Sequence, residues 1–372
     1  MRRSLIPIAT FALMTISSLA QSPLERAVTL TREKRYAEAH KLLQGVTEPA
    51  DTAQRIAFHR LKAAIASGLG DSKIAAGEIR HALELAPADS GLLLATAIAE
   101  LQAGLLDDAL QHARSAGATA QAQAVVGDIQ EKRGEFVEAA KAYQGAVALA
   151  PDREQYRIAL ALELVEHQSF TPAIAVLQQA APLFPKSGKL RTLLGIAQYG
   201  EGDAAGAEKS LAEAIAADPK LEPAYAYLSH LALESSAAPP DEVLKALCNW
   251  NPTVCSAMKL RLARERDDAK LRGEAIAGLK RAPPNDPVAR CELGRAYEWT
   301  EQFAAARTQM EECVRLEPSP QNHYRLGLIY RQLGLTQLAD QEMALRKKAM
   351  DNMSEDAARR AQALQTFQFV IK

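Results

Sequence analysis

Residues 185–219 read PKSGKLRTLLGIAQYGEGDAAGAEKSLAEAIAADP, and this stretch decides the fold. Leu194-Gly195 is followed by Ala207, Leu211 and Ala214 before the closing Pro219. Small residues such as Gly195 and Ala207 let two antiparallel helices approach closely, while Leu194 and Leu211 fill the space beside them. The proline ends the second helix, because it lacks a donor and clashes with the preceding turn. The same order recurs at Val126-Gly127, Ala139, Tyr143, Ala146, Pro151, at Leu293-Gly294, Tyr297, Ala306, Met310, Cys313, Pro318, and at Leu326-Gly327, Tyr330, Ala339, Met343. Pro151, Pro185 and Pro219 are 34 residues apart, as are Pro284 and Pro318, whereas Pro87 to Pro151 is 64, two units with one shortened. A fixed period of this length marks a repeat architecture.

These residues follow the W-x2-L-G-x2-Y, A-x3-F and P signature, and the chain resembles the tetratricopeptide repeat family, without the leading Trp. The resemblance implies an all-α, right-handed α-solenoid of about ten helix-turn-helix repeats with a C-terminal capping helix. One hairpin cannot bury its apolar face alone, and stacked neighbours can. Weaker units are read at 24–50, 56–89, 90–119, 154–187 and 222–253. The expected organisation is a signal peptide at 1–20, divergent repeats at 21–119, central repeats at 120–253, a degenerate repeat at 254–286, C-terminal repeats at 287–345, and a capping helix with tail at 346–372. In the degenerate unit Arg261, Arg264, Arg266, Asp267 and Asp268 crowd the first helix, and Ser235 to Pro240 reads as a loop.

The N-terminus has Arg2-Arg3, an apolar run from Leu5 to Leu13 and Ser18-Leu19-Ala20, the order of a secretory signal cleaved after Ala20. The alternative, an uncleaved anchor, needs a longer apolar span than Thr10, Thr15, Ser17 and Ser18 leave intact. The expectation is a periplasmic or secreted protein with no integral membrane segment after cleavage. Across the chain, 44 Lys and Arg stand against 45 Asp and Glu, which leaves no basic field for nucleic acid. Aromatics make up 5%, and abundant alanine favours close-packed helices.

Motifs of catalysis are missing from the sequence. The seven histidines are scattered, with no H-E-x-x-H pair and no zinc-spaced cysteines, and there is no G-x-S-x-G elbow or phosphate-binding glycine loop. Glu298, Glu301, Glu311 and Glu312 read as a solvated helix face. No catalytic residue, metal or cofactor is assigned. Cys248, Cys255, Cys291 and Cys313 all lie in the C-terminal half. Three pairings are open to them. Repeat geometry favours Cys248 with Cys255 across the loop holding Pro252, and Cys291 with Cys313 across one hairpin; free buried thiols in place of Ala are the alternative.

In an array of this kind the first helices line a concave face that sets ligand choice. The register places Asp128, Glu131, Lys132, Lys189, Thr192, Ile196, Tyr199, Arg295, Glu298, Trp299, Tyr324, Leu328 and Arg331 there. Lys189, Tyr199, Arg295, Trp299, Tyr324 and Arg331 are the candidate partner-binding residues, with Trp299, Tyr324 and Arg331 foremost because Tyr, Trp and Arg dominate binding hot spots. Packing of Trp299 and Tyr324 against a neighbouring helix is the competing reading. The family resemblance implies a non-enzymatic scaffold for a protein or peptide ligand, and the expected signal with the alanine-rich composition suggests bacterial envelope assembly or secretion as its setting. A hydrolytic or carbohydrate-active protein on a helical-repeat scaffold, or a solenoid self-associating through uncapped ends, are the alternatives.

Overall fold

The computed structural model describes residues 22–234 and 240–371. The expected signal peptide and most of the loop expected at 235–240 lie outside the described residues. Among the described residues there are twenty α-helices and no strand. The chain divides into two compact units, residues 1–163 and 164–372.

In the first unit α1 (Pro23–Arg32) pairs with α2 (Tyr36–Leu43), α3 (Thr52–Gly68) with α4 (Ser72–Leu85), α5 (Ser90–Ala103) with α6 (Leu106–Ser115), and α7 (Ala120–Lys132) with α8 (Phe136–Leu149). The division falls within α9 (Glu154–Glu166). In the second unit α10 (Phe170–Ala180) precedes five hairpins. They are α11 (Gly188–Glu201) with α12 (Ala204–Ala217), α13 (Glu222–Glu234) with α14 (Asp241–Trp250), α15 (Pro252–Glu265) with α16 (Ala269–Lys280), α17 (Pro287–Trp299) with α18 (Phe303–Leu316), and α19 (Pro320–Gln332) with α20 (Thr336–Ile371).

Small residues hold a strict register. Ala39, Ala75, Ala109, Ala139, Ala173, Ala207, Ala306 and Ala339 are each no more than 1% exposed. Each stands twelve residues after Ala27, Ala63, Ala97, Gly127, Ala161, Gly195, Gly294 or Gly327. The glycines among these mark close approaches. A Cβ on Gly195 would stand 2.7 Å from Leu211 Cγ and 3.1 Å from the Ala207 carbonyl, and Gly127, Gly294 and Gly327 face Tyr143, Met310 and Met343 in the same way. Leu211 is 1% exposed, and burying such a side chain contributes about 1.5–3 kcal/mol.

Seven residues beyond each of these first-helix positions the backbone turns left-handed: Lys34, Gly70, Gly104, Gly134, Gln168, Gly202, Glu301 and Gly334 have φ between 56° and 93°. The next amide then bonds the carbonyl five residues back, as Asp203 does to Gln198 at 2.8 Å and Gln302 to Tyr297 at 2.8 Å. These bonds satisfy carbonyls that the ended helix leaves open. Each first helix of the second unit from α15 onward starts on a side-chain cap: Asn251 accepts from the Thr253 amide at 2.8 Å, Asp286 from Ala289 at 3.1 Å and Ser319 from Asn322 at 3.1 Å.

The hairpin of α15 and α16 breaks the register. Its left-handed residue is Asp267, with φ 50°, yet the small-residue positions hold Leu260 and Arg272. The region read as degenerate is therefore a hairpin that packs through larger side chains, with Leu260 4% exposed. At the C-terminal end the expected capping helix is no separate element. The second helix of the last hairpin continues unbroken through Ile371.

A groove on the first helices of the second unit

A groove of about 1520 Å³ lies within the second unit. It is lined by residues of α13, α15, α17 and α19, which are first helices of hairpins, and by Arg346, Met350 and Met353 on the extended part of α20. On α17 the lining residues Val288, Cys291, Glu292, Arg295 and Trp299 follow the three-and-four spacing of one helix face.

Glu292 is 5% exposed and accepts from Arg295 at 2.6 Å, with Arg261 of α15 at 3.9 Å. Arg261 also donates to the backbone carbonyls of Ala232, at 3.1 Å, and Leu233, holding the last turn of α13. Burial pulls the Arg261 guanidinium below its usual range, and Glu292 opposes that shift. The Nε of Arg295 is buried without a hydrogen-bond partner. Arg325 donates to Glu298 at 2.9 Å, and Asn322, 4% exposed, donates to the Glu317 carbonyl at 2.9 Å.

Two aromatic rings face guanidinium groups. Trp299 has Arg272 at 4.8 Å and Arg264 at 6.0 Å from its centroid, and it packs against the apolar core of the unit. Tyr324 is 41% exposed, with Arg346 4.5 Å over its ring. Trp299 thus lines the groove with part of its surface and packs with the rest.

The structure brings Arg295, Trp299 and Tyr324 together with Leu328 in this groove. Tyr199 stands beside it, its hydroxyl donating to Glu234 and its ring 5.9 Å from His230, both groove residues. Burial first, and then Glu234, push the Tyr199 phenol up to about 12. Lys189 and Arg331 are not brought to the groove. Lys189 is exposed near the start of α11, and Arg331 lies in the last turn of α19, 4.0 Å from Asp340. Two further groove candidates are corrected: Thr192 is fully buried, donating to the Gly188 carbonyl at 2.9 Å, and Ile196 is 9% exposed, which leaves neither side chain open to a ligand. In the first unit Asp128 accepts from the Tyr143 hydroxyl at 2.6 Å.

The sequence reading missed Arg346, Met350 and Met353 as groove residues, since they follow the last recognisable repeat position. It also missed Asn322, whose one available signal was the cap pattern Ser319-Pro320.

Cys248 is bonded to Cys255, and Cys291 to Cys313, with Cα separations of 4.3 Å and 4.8 Å. The first bridge ties α14 to the start of α15. The second crosses the α17–α18 hairpin, and its Cys291 lines the groove. Among the described residues no helix is long and apolar enough to cross a membrane, and no group of three or more His, Cys, Asp or Glu side chains is placed to hold a metal.

The tetratricopeptide repeat family model matches residues 158–222. With the register of hairpins above, residues 158–222 are a tetratricopeptide repeat segment within an all-α helical-repeat protein. Among solved structures it is similar to a tetratricopeptide repeat protein from Parabacteroides merdae, at 16% identity over 76% of this chain and 98% of that one, with a TM-score of 0.43. It is also similar to pilF of Pseudomonas aeruginosa, at 15% identity over 61% of this chain and 98% of that one, with a TM-score of 0.43. A third similarity is to YrrB, described as a tetratricopeptide repeat protein with an unusual peptide-binding site, at 16% identity over 52% and 96% of the two chains and a TM-score of 0.39. No curated protein matches the chain by sequence.

Proposed function

We propose that the chain is an exported, non-enzymatic scaffold that holds a polypeptide partner in the groove of the second unit. The observation that carries this reading is the groove itself. At about 1520 Å³ it exceeds the range of about 300–1,000 Å³ usual for small-molecule pockets, and it presents Tyr324, Trp299 and arginine side chains, the residue types of binding hot spots. Glu292, its most buried carboxylate, is engaged by two guanidinium groups rather than aimed at open space. Arg295, Trp299 and Tyr324 are the contact residues within the groove, Tyr199 is an edge residue, and Lys189 and Arg331 lie outside it.

Export to the periplasm or exterior, with envelope assembly or secretion as the setting, is supported by the N-terminal sequence and by two disulfides, which persist in oxidising compartments. The test is affinity capture from an envelope extract with the mature chain and with a Tyr324→Ala/Arg325→Ala variant in parallel. A partner retained equally by both would remove the groove from the function. Fractionation and N-terminal sequencing of the expressed protein test export, which predicts a first residue of Gln21.

A further inference from the structure

The charges lining the groove are not evenly satisfied. Five guanidinium groups, on Arg261, Arg264, Arg295, Arg325 and Arg346, meet the carboxylates of Glu234, Glu265, Glu292 and Glu317. Glu292 is taken by Arg295 and Arg261, and Glu234 by the Tyr199 hydroxyl and by His230 at 3.4 Å. Arg325 is paired outward with Glu298. Arg264 and Arg346, by contrast, have no carboxylate within 4 Å among the described residues. Arg346 instead lies 4.5 Å over the Tyr324 ring, and Arg264 stands 6.0 Å from the centroid of Trp299, whose nearer cation is Arg272 at 4.8 Å. A guanidinium with no carboxylate partner of its own keeps its N–H groups for an incoming acceptor, and a carboxylate suits them.

The neighbouring wall is apolar and adaptable. Met350 and Met353 of α20 are 49% and 60% exposed on the groove, and methionine fits its unbranched side chain to irregular apolar partners. Unpaired cations near aromatic rings and beside a methionine wall define a ligand with alternating demands.

We propose that the groove takes an acidic peptide segment, its carboxylates seated on Arg264 and Arg346 and its apolar residues against Met350 and Met353. The proposal rests on the reading of the groove as a polypeptide site and names its chemistry. Charge complementarity of this kind governs selectivity and encounter rate more than raw affinity, so the sign of the peptide is the variable to test.

The experiment is calorimetric titration of the full mature chain with three peptides, each acetylated and amidated and built from three triplets: Glu-Glu-Leu, Gln-Gln-Leu or Lys-Lys-Leu. The blocked ends remove any contribution from a terminal carboxylate. The acidic peptide is expected to bind about 10-fold more tightly than the glutamine peptide at low salt, with that advantage falling severalfold at about 0.5 M salt. Arg264→Gln/Arg346→Gln is expected to erase the preference while its melting temperature stays near that of the parent, which shows that the loss is not one of folding. Equal binding of the acidic and glutamine peptides, weakened for both by Met350→Ser/Met353→Ser, would overturn the acidic preference and leave the polypeptide groove standing. Tightest binding of the lysine peptide would also overturn it. No binding of any peptide would overturn both the preference and the groove.

Discussion

The guanidinium of Arg346 lies 4.5 Å from the ring centroid of Tyr324, joining the extended part of α20 to the groove face of α19. A residue beside the last repeat signature and one beyond it thus meet where the groove is formed. Because Tyr324 is 41% exposed, its ring is available to a ligand and contributes little to the core. Tyr324→Ala is expected to weaken partner binding about 10-fold and to lower the melting temperature by no more than a few degrees, the cost of an exposed cation–π contact of about 0.5–1 kcal/mol. Trp299→Ala removes core packing as well, and is expected to destabilise by about 2–3 kcal/mol. Thermal melts of the two variants beside partner titrations separate these roles.

Gly195 tests the hairpin register. A Cβ there would lie 2.7 Å from Leu211 Cγ and 3.1 Å from the backbone carbonyl of Ala207, which cannot move without bending α12. Gly195→Leu is expected to cost about 3 kcal/mol or more through overpacking. A melting temperature equal to that of the parent would mean that α11 and α12 are not closely packed at this point.

Glu301 occupies with φ 59° the turn position that Gly202 and Gly334 fill elsewhere. A side chain in that region costs about 1–2 kcal/mol, partly offset by the greater entropy of an unfolded glycine. Glu301→Gly is expected to raise stability by up to about 1 kcal/mol, read from denaturant midpoints, while Gly202→Ala is expected to lower it.

The disulfides close loops of different length. Cys291–Cys313 spans 22 residues and Cys248–Cys255 spans 7. Loop-closure entropy then gives about 3 kcal/mol for the first and about 2 kcal/mol for the second. Cys291→Ala/Cys313→Ala should lower the melting temperature more than Cys248→Ala/Cys255→Ala. A reductant should shift the parent protein and leave the fourfold alanine variant unmoved.

The Tyr199 phenol titrates at about 12, above its usual value of 10, since burial and Glu234 both oppose the phenolate. A folded-state value above the unfolded one means that the neutral side chain's contribution is full below pH 10 and is lost as pH rises from 10 to 12. Tyr199→Phe is expected to remove one phenol from the high end of the ultraviolet titration and to flatten the pH dependence of unfolding across that window.

By itself, the sequence determined the hairpin and its period. Close approach of two helices demands Gly or Ala at fixed places, a proline is not accepted beyond a helix's first turn, and both act over a few residues. Ala207 and Gly195 were therefore legible, and so was the facing of Cys291 and Cys313 across one hairpin. Tertiary structure alone decided which side chains reach the groove. Each residue turns a helix face by about 100°, so a small rotation buries Thr192 and Ile196 while Trp299 and Tyr324 stay at the surface. The wall made by Arg346, Met350 and Met353 depends on where α20 continues beyond its hairpin, and no local pattern encodes that direction. Lys34, Gln168 and Glu301 show the same limit from the other side: their left-handed turns are imposed by the helices they join, against their own preference.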